Sequence, residues 1–107
     1  MLHDAATAER VRALLPGAVE KRMVGGGLSS SAGGSTVCGV TATALAVRVG
    51  ADAVPAALTE PHVGPMLLGG RQVRAFVLVE PAGYATDADL HRWLRRGLAC
   101  TAGLGRP

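Results

Sequence analysis

The residue types best suited to chemistry lie in one stretch of the chain, a Gly/Ser-rich run at 25–35 and the cysteine that follows it. The candidates there are Ser29, Ser30, Ser31 and Cys38. A serine nucleophile needs a base within hydrogen-bond reach and an acid that orients the base. The three histidines lie far apart in the sequence, at His3, His62 and His91. The chain also has no G-x-S-x-G sequence, so we predict no catalytic serine.

The glycine content of residues 25–35 invites comparison with phosphate-binding loops. A Walker loop needs a Lys-Ser or Lys-Thr pair after its last glycine, and none follows Gly34. The dinucleotide fingerprint needs a helix after the glycines, whereas strands are predicted on both sides here. The composition therefore predicts a flexible, turn-rich loop and no phosphate site.

Cys38 is the strongest single candidate for a reactive group, because it lies beside a glycine that lets other groups approach. A reactive thiol needs nearby positive charge to lower its pKa, and Arg48 and Lys21 are the candidate cations. A buried, inert thiol is the favoured interpretation. Cys100 is expected to pack in the last helix, and the Cys and His spacing is not typical of a zinc site. We predict no metal and no cofactor.

Three arginines near the C-terminus form the candidate surface for a partner: Arg92, Arg95 and Arg96. They could contact an acidic protein or nucleic acid, although such a group is usually a solvated helix face. No helix-turn-helix signature and no interleaving of basic and aromatic residues accompany them. Direct contact with nucleic acid is therefore ranked last.

The elements that must position these residues follow from hydrophobic periodicity. Helices are predicted at 4–15 and 51–60 and from Thr86 onward, and strands at 18–24, 36–40, 44–49, 65–68 and 72–80. The fold class is α+β with two layers, helices packed on an antiparallel sheet, in the order α-β-β-β-α-β-β-α. Leu90, Trp93, Leu94 and Leu98 form the apolar stripe of the last helix. In the longest strand, Val73, Ala75, Val77 and Val79 are predicted to share one face.

Length and composition limit the class of protein. The chain has 107 residues, 49% of them apolar but only three aromatic, and a formal charge of +3. This predicts one domain over 1–107, with a core at about 4–100 built from Leu, Val, Ala and Met. Such a thin core favours a homodimer. No apolar run reaches the roughly 20 residues of a membrane span, and the first residues lack the pattern of a signal peptide. We therefore expect a cytoplasmic protein with free thiols.

Several short motifs together resemble the TfoX N-terminal domain family. They are Lys-Arg-Met-Val-Gly-Gly at 21–26, Cys-Gly-Val at 38–40, Val-Arg-Val-Gly at 47–50, Gly-Arg-Gln-Val at 70–73, and a Thr-started helix with a Trp and Gly-Leu-Ala at 86–99. The resemblance covers roughly residues 4–100. It implies a two-layer α+β domain related to regulators of natural competence, and it supplies no catalytic residues.

The chain departs from this family in two places. Val24 replaces an aromatic residue, and the family's apolar second strand is Leu-Ser-Ser-Ser-Ala at 28–32. Serine in a buried strand is costly. The hairpin is therefore exposed, or frames a cavity for a ligand, or belongs to an altered version of a natural sequence.

The sequence supports two main functional hypotheses. The first is a non-enzymatic regulatory module that binds another protein or its own copy, as the resemblance implies. The second is a small-molecule-binding protein or cryptic enzyme with a pocket near the Ser-rich hairpin and Cys38. An exposed apolar patch would favour the first, whereas a concave pocket with a perturbed thiol would favour the second.

Overall fold

The computed structural model describes residues 3–23 and 26–104 and shows an α+β fold. The helices are α1 (Ala5–Leu14), α2 (Val54–Ala57) and α3 (Asp87–Leu104). The strands are β1 (Val19–Arg22), β2 (Leu28–Ala32), β3 (Ser35–Val40), β4 (Leu45–Arg48), β5 (Val63–Leu68) and β6 (Arg71–Val79). Val24 and Gly25 lie outside the described residues. Val24 is the predicted end of the first strand, and both residues belong to the family-like motif at 21–26. No helix in the described part of the chain is long and apolar enough to cross a membrane.

The six strands form one antiparallel sheet in the order β1-β2-β3-β4-β6-β5. The predicted fold class is confirmed, but the predicted element order lacked one strand. Residues 28–32, which composition alone assigned to a loop, form β2. Pairing with β1 on one side and β3 on the other supplies partners for the backbone of this segment, and such tertiary pairing decides strand formation more than local composition does.

The core lies between one face of the sheet and the helices α1 and α3. The sheet contributes Val37, Cys38, Val40, Leu45, Val47, Val77 and Val79, and the helices contribute Val11, Leu90, Trp93 and Leu94. The predicted apolar stripe of the last helix is therefore confirmed. The Trp93 indole also donates a hydrogen bond to the Gly83 carbonyl at 3.1 Å, which ties α3 to the turn before it.

Helix α3 packs directly against β3 at Gly97. A Cβ at this position would lie 2.7 Å from Cγ1 and 2.8 Å from the carbonyl oxygen of Val37. The residue must therefore be glycine if the helix is to pack directly on β3.

Strand β6 contains a bulge that breaks its alternation. Ala75 has φ 74°, and its carbonyl accepts hydrogen bonds from the amides of both Val49 and Gly50, at 2.9 and 3.0 Å. Before the bulge, Val73 and Ala75 of the predicted apolar face are only half-buried. After it, Val77 and Val79 are buried as predicted.

Two connections complete the fold. The middle helix is shorter than the predicted 51–60, since a 3-10 turn at Ala51–Ala53 leads into the single α-turn of α2. The predicted hairpin between β5 and β6 is confirmed. Its turn residues, Gly69 and Gly70, have φ 58° and 82°, the conformation that a two-residue hairpin turn requires.

Candidate functional site

The register of β2 separates the candidate serines onto two sides of the sheet. Ser30 pairs with Cys38 on the helix side, whereas Ser29 pairs with Lys21 and Gly39 and so lies on the opposite side. Both serines are buried, at 8% exposure for Ser29 and 3% for Ser30. The Ser29 hydroxyl donates to the Lys21 carbonyl at 2.9 Å. These hydroxyls do not converge on a common point.

Burial of this strand excludes one interpretation of the hairpin, that its serines are exposed. Ser31, beyond a register shift, is half-buried and pairs with Thr36. A cleft of about 230 Å³ reaches Ser30 between the end of α1 and β1. Cys38 does not line it. The cleft is smaller than the roughly 300–1,000 Å³ of typical ligand pockets.

Cys38 lacks the surroundings of a reactive thiol. Burial raises the pKa of Cys38 to about 12, and the neighbouring Ser30 side chain opposes that shift only in part. The candidate cations lie on the other side of the sheet, because Lys21 pairs with Ser29 and Arg48 follows Val47, the partner of Cys38. The sheet therefore does not bring Arg48 or Lys21 to the side of Cys38, which agrees with the favoured interpretation of an inert thiol. The thiol stays protonated at neutral pH.

The histidines assemble no catalytic or metal site with these groups. His62 and His91 are exposed. Among the side-chain hydrogen bonds of residues 3–23 and 26–104, none joins a histidine to a serine or cysteine. The same residues contain no cluster of three or more metal-ligating side chains.

The three arginines of α3 do not act as one cationic surface. Arg96 forms an ion pair with Glu60 at 2.9 Å and lies 4.3 Å from the centre of the Trp93 ring. Arg92 lies 3.8 Å from Asp89 in a solvent-exposed pair. Arg95 is exposed. Because acidic neighbours partly neutralise two of the three charges, the candidate partner surface at Arg92, Arg95 and Arg96 has little net attraction for an acidic partner.

The side of the sheet away from the helices has few polar side chains at its centre. Strand pairing aligns a row of small or apolar residues across four strands: Gly39, Ala46, Leu78 and Gly64. The next row holds Arg48 beside Phe76. We call these six residues the outer face. A solvated face of an antiparallel sheet normally carries polar side chains at alternate positions, and the outer face departs from that pattern.

Met23 folds back over the outer face. Its sulfur and terminal methyl lie 2.9 and 3.0 Å from the point where a Cβ on Gly39 would stand, and the Ala46 Cβ lies 3.8 Å from that point. Glycine is therefore needed in the middle of β3. The group that approaches Gly39 is Met23.

The outer face ends in a charged residue at each end of its strands. At one end, the Arg48 guanidinium lies 4.7 Å from the centre of the Phe76 ring and donates to the Thr36 carbonyl at 2.7 Å. At the other end, Glu80 is exposed and lines a concavity of about 580 Å³ together with Leu78. The arrangement offers an apolar contact surface between two charges, which is suited to binding.

Sequence reasoning missed the outer face as a site. The available signal was that β4 and β6 carry apolar residues on both of their sides. Ala46 alternates with Leu45 and Val47 in β4, and Phe76 and Leu78 alternate with the buried valines of β6. Its meaning depends on the pairing of β4 with β6, which joins residues that lie far apart in the sequence.

No family model, no curated protein and no solved structure matches this chain. The resemblance to the TfoX N-terminal domain therefore stays a prediction from its motifs.

Proposed function

We propose that this protein is a non-enzymatic module that binds another polypeptide chain through the outer face, in the cytoplasm. The observation that carries the proposal is the row of small and apolar residues at the centre of a sheet face on which none of the described helices packs and which Met23 covers at Gly39. A role in regulating transcription or competence is the further expectation that the family resemblance adds.

The physical argument rests on what a partner would bury. Phe76 and Leu78 are each only half-buried, and covering apolar surface stabilises a complex by about 25 cal/mol for each Å² removed from water. Gly39 and Ala46 are already buried in the monomer, with Met23 lying over Gly39, so the apolar surface open to a partner is that of Phe76 and Leu78. Contact surfaces of this kind have an apolar centre and charges at the rim.

The alternative, a small-molecule site or cryptic enzyme near the Ser-rich hairpin, has less support. The Cys38 thiol is buried and protonated, and the cleft beside Ser30 is small. The larger concavity at Leu78 contains one titratable side chain, Glu80. Direct binding of nucleic acid is also less supported, because Arg48 is the only cation among the six outer-face residues.

The test compares two aspartate substitutions in protein recovered from its native cells. Leu78→Asp places a charge at the centre of the outer face. Leu68→Asp makes the same change at the tip of the β5–β6 hairpin, on a leucine that is 58% exposed. We expect wild type and Leu68→Asp to be recovered with a bound polypeptide, and Leu78→Asp to lose it while its circular dichroism stays unchanged.

Two results would contradict the proposal. One is a bound polypeptide that Leu78→Asp retains at wild-type stoichiometry. The other is a wild-type protein recovered without any polypeptide partner and with a small molecule at fixed stoichiometry, which would favour the alternative.

A further inference from the structure

The charges of the outer face make it complementary to itself. Arg48 pairs in register with Phe76, and Glu80 lies four residues further along the chain, directly after β6. At about 3.4 Å per residue, the two charged rows are about 14 Å apart, with the Ala46 and Leu78 row midway between them. Among the described residues, neither Arg48 nor Glu80 takes part in a salt bridge.

We propose that the partner of the outer face is the outer face of a second copy of this chain. A two-fold axis between the two sheets, running across the strands, reverses the strand direction of one copy relative to the other. This places Arg48 of each copy opposite Glu80 of the other, while Leu78 meets its own counterpart near the axis. The inference rests on the proposed function and specifies its partner.

The size of the face sets the strength expected of this dimer. The outer face spans four strands about 4.8 Å apart, a width of about 19 Å, so rows extending over about 17 Å cover roughly 330 Å² per copy. A total of about 650 Å² is below the range of stable specific interfaces and is typical of weak, transient ones. The dimer should therefore dissociate on dilution, and its charges should have a large share in its affinity.

The edges of the sheet offer no equivalent self-pairing surface. Edge strand β1 carries three consecutive charged residues, Glu20, Lys21 and Arg22, and charged side chains on an edge oppose pairing with another strand. Edge strand β5 contains Pro65, which lacks an amide donor, followed by a register shift. Both features oppose pairing of this edge with another strand. The outer face therefore remains as the surface that is complementary to its own copy.

The test is sedimentation velocity on the full chain, from low micromolar to millimolar concentration, with two charge reversals. In the symmetric dimer, Arg48→Glu and Glu80→Arg each turn two attractive contacts into two repulsive ones. We expect each variant alone to raise the dimer dissociation constant at least about tenfold.

An equimolar mixture of the two variants should dimerise about as well as wild type. In the mixed dimer, both acidic side chains of the Arg48→Glu copy face the two basic side chains of the Glu80→Arg copy. Arg95→Glu, a reversal of an exposed charge on α3, is the matched control and should leave the dimer unchanged.

Circular dichroism and thermal unfolding establish that each variant is folded. If Arg48→Glu fails to fold because it loses the Thr36 contact, Glu80→Arg alone decides the question, since no side-chain hydrogen bond of Glu80 is found in the described structure. A wild-type chain that stays monomeric at every concentration would overturn self-pairing, as would a dimer that Glu80→Arg leaves intact or a mixture of folded variants that stays monomeric. A further outcome is a wild-type chain that is monomeric by sedimentation but is recovered from its cells with a different polypeptide, which Leu78→Asp loses. That result would overturn this inference and preserve the proposed function.

Discussion

Replacing Gly97 by alanine tests how directly α3 packs on the sheet. In an ordinary helix interior this change stabilises a protein by about 0.8–1 kcal/mol, because alanine has the higher helix propensity. Here the added methyl would lie 2.7 Å from Val37 Cγ1 and 2.8 Å from the Val37 carbonyl oxygen. The carbonyl belongs to the main chain of β3, at the position where the β2–β3 register shifts, and a main-chain atom moves less freely than the end of a side chain.

The expected effect is the difference between these two terms. Overpacking of a core typically costs about 1–3 kcal/mol, and contact with a fixed backbone atom favours the upper half of that range. After the gain in helix propensity is subtracted, we expect Gly97→Ala to lower the free energy of unfolding by about 1–2 kcal/mol. In a domain of this size, this corresponds to a fall in Tm of about 4–16 °C.

Urea unfolding followed by Trp93 fluorescence and circular dichroism measures the effect. Gly64→Ala is the control, because nothing lies within 4 Å of the Cβ it would add; its effect should stay within about 0.5 kcal/mol. Adding Val37→Ala to Gly97→Ala removes the Cγ1 clash but not the carbonyl clash, so the double variant should lose less than the sum of the single losses. A Gly97→Ala protein as stable as wild type, or more stable, would refute the packing argument.

The remaining predictions concern the core and the candidate site. Trp93→Ala should cost about 3–5 kcal/mol of unfolding free energy, and urea titration showing a loss below about 1 kcal/mol would remove Trp93 from the core. In the native protein Cys38 should resist a thiol reagent that modifies the more exposed Cys100, and both should react in denaturant. The pKa of Cys38 is about 12 in the fold, against an ordinary 9.0. The contribution of this protonated thiol to the free energy of unfolding is therefore fully present below pH 9. From this group, the free energy of unfolding should fall by about 1.4 kcal/mol per pH unit as the pH rises from 9 to 12. Cys38→Ala should make the fall shallower, while Tyr84, whose pKa burial also raises, keeps its share. Ser30→Val should add about 0.5–1 kcal/mol by extending apolar burial into the neighbouring cleft; a loss above about 1 kcal/mol would show that this position requires a hydroxyl.

Local patterns predicted the elements whose register depends on short-range signals. The last helix follows from its apolar spacing and from Thr86, whose hydroxyl accepts a hydrogen bond from the Asp89 amide at 3.1 Å. The β5–β6 hairpin follows from its two glycines. These features depend on residues a few positions apart, so their chemistry can be read directly from the sequence.

Features that depend on distant pairing could not be predicted in the same way. Strand β2 has a loop-like composition and is a strand because two neighbours pair with it. The left-handed conformation of Ala75, a residue type that normally avoids it, depends on the amides of Val49 and Gly50. The side of the sheet on which Arg48 lies relative to Cys38 depends on strand register, and this one fact removes the activated-thiol hypothesis.

Native mass spectrometry of the wild-type protein, purified gently from its own cells, tests the central claim most directly. At protein concentrations high enough for a weak dimer to form, we predict a complex of this chain with a polypeptide, a second copy according to the self-pairing inference, and no small molecule at fixed stoichiometry. A single chain carrying one small molecule per protein would contradict the account, and it would direct attention to the concavity beside Leu78 or the cleft beside Ser30.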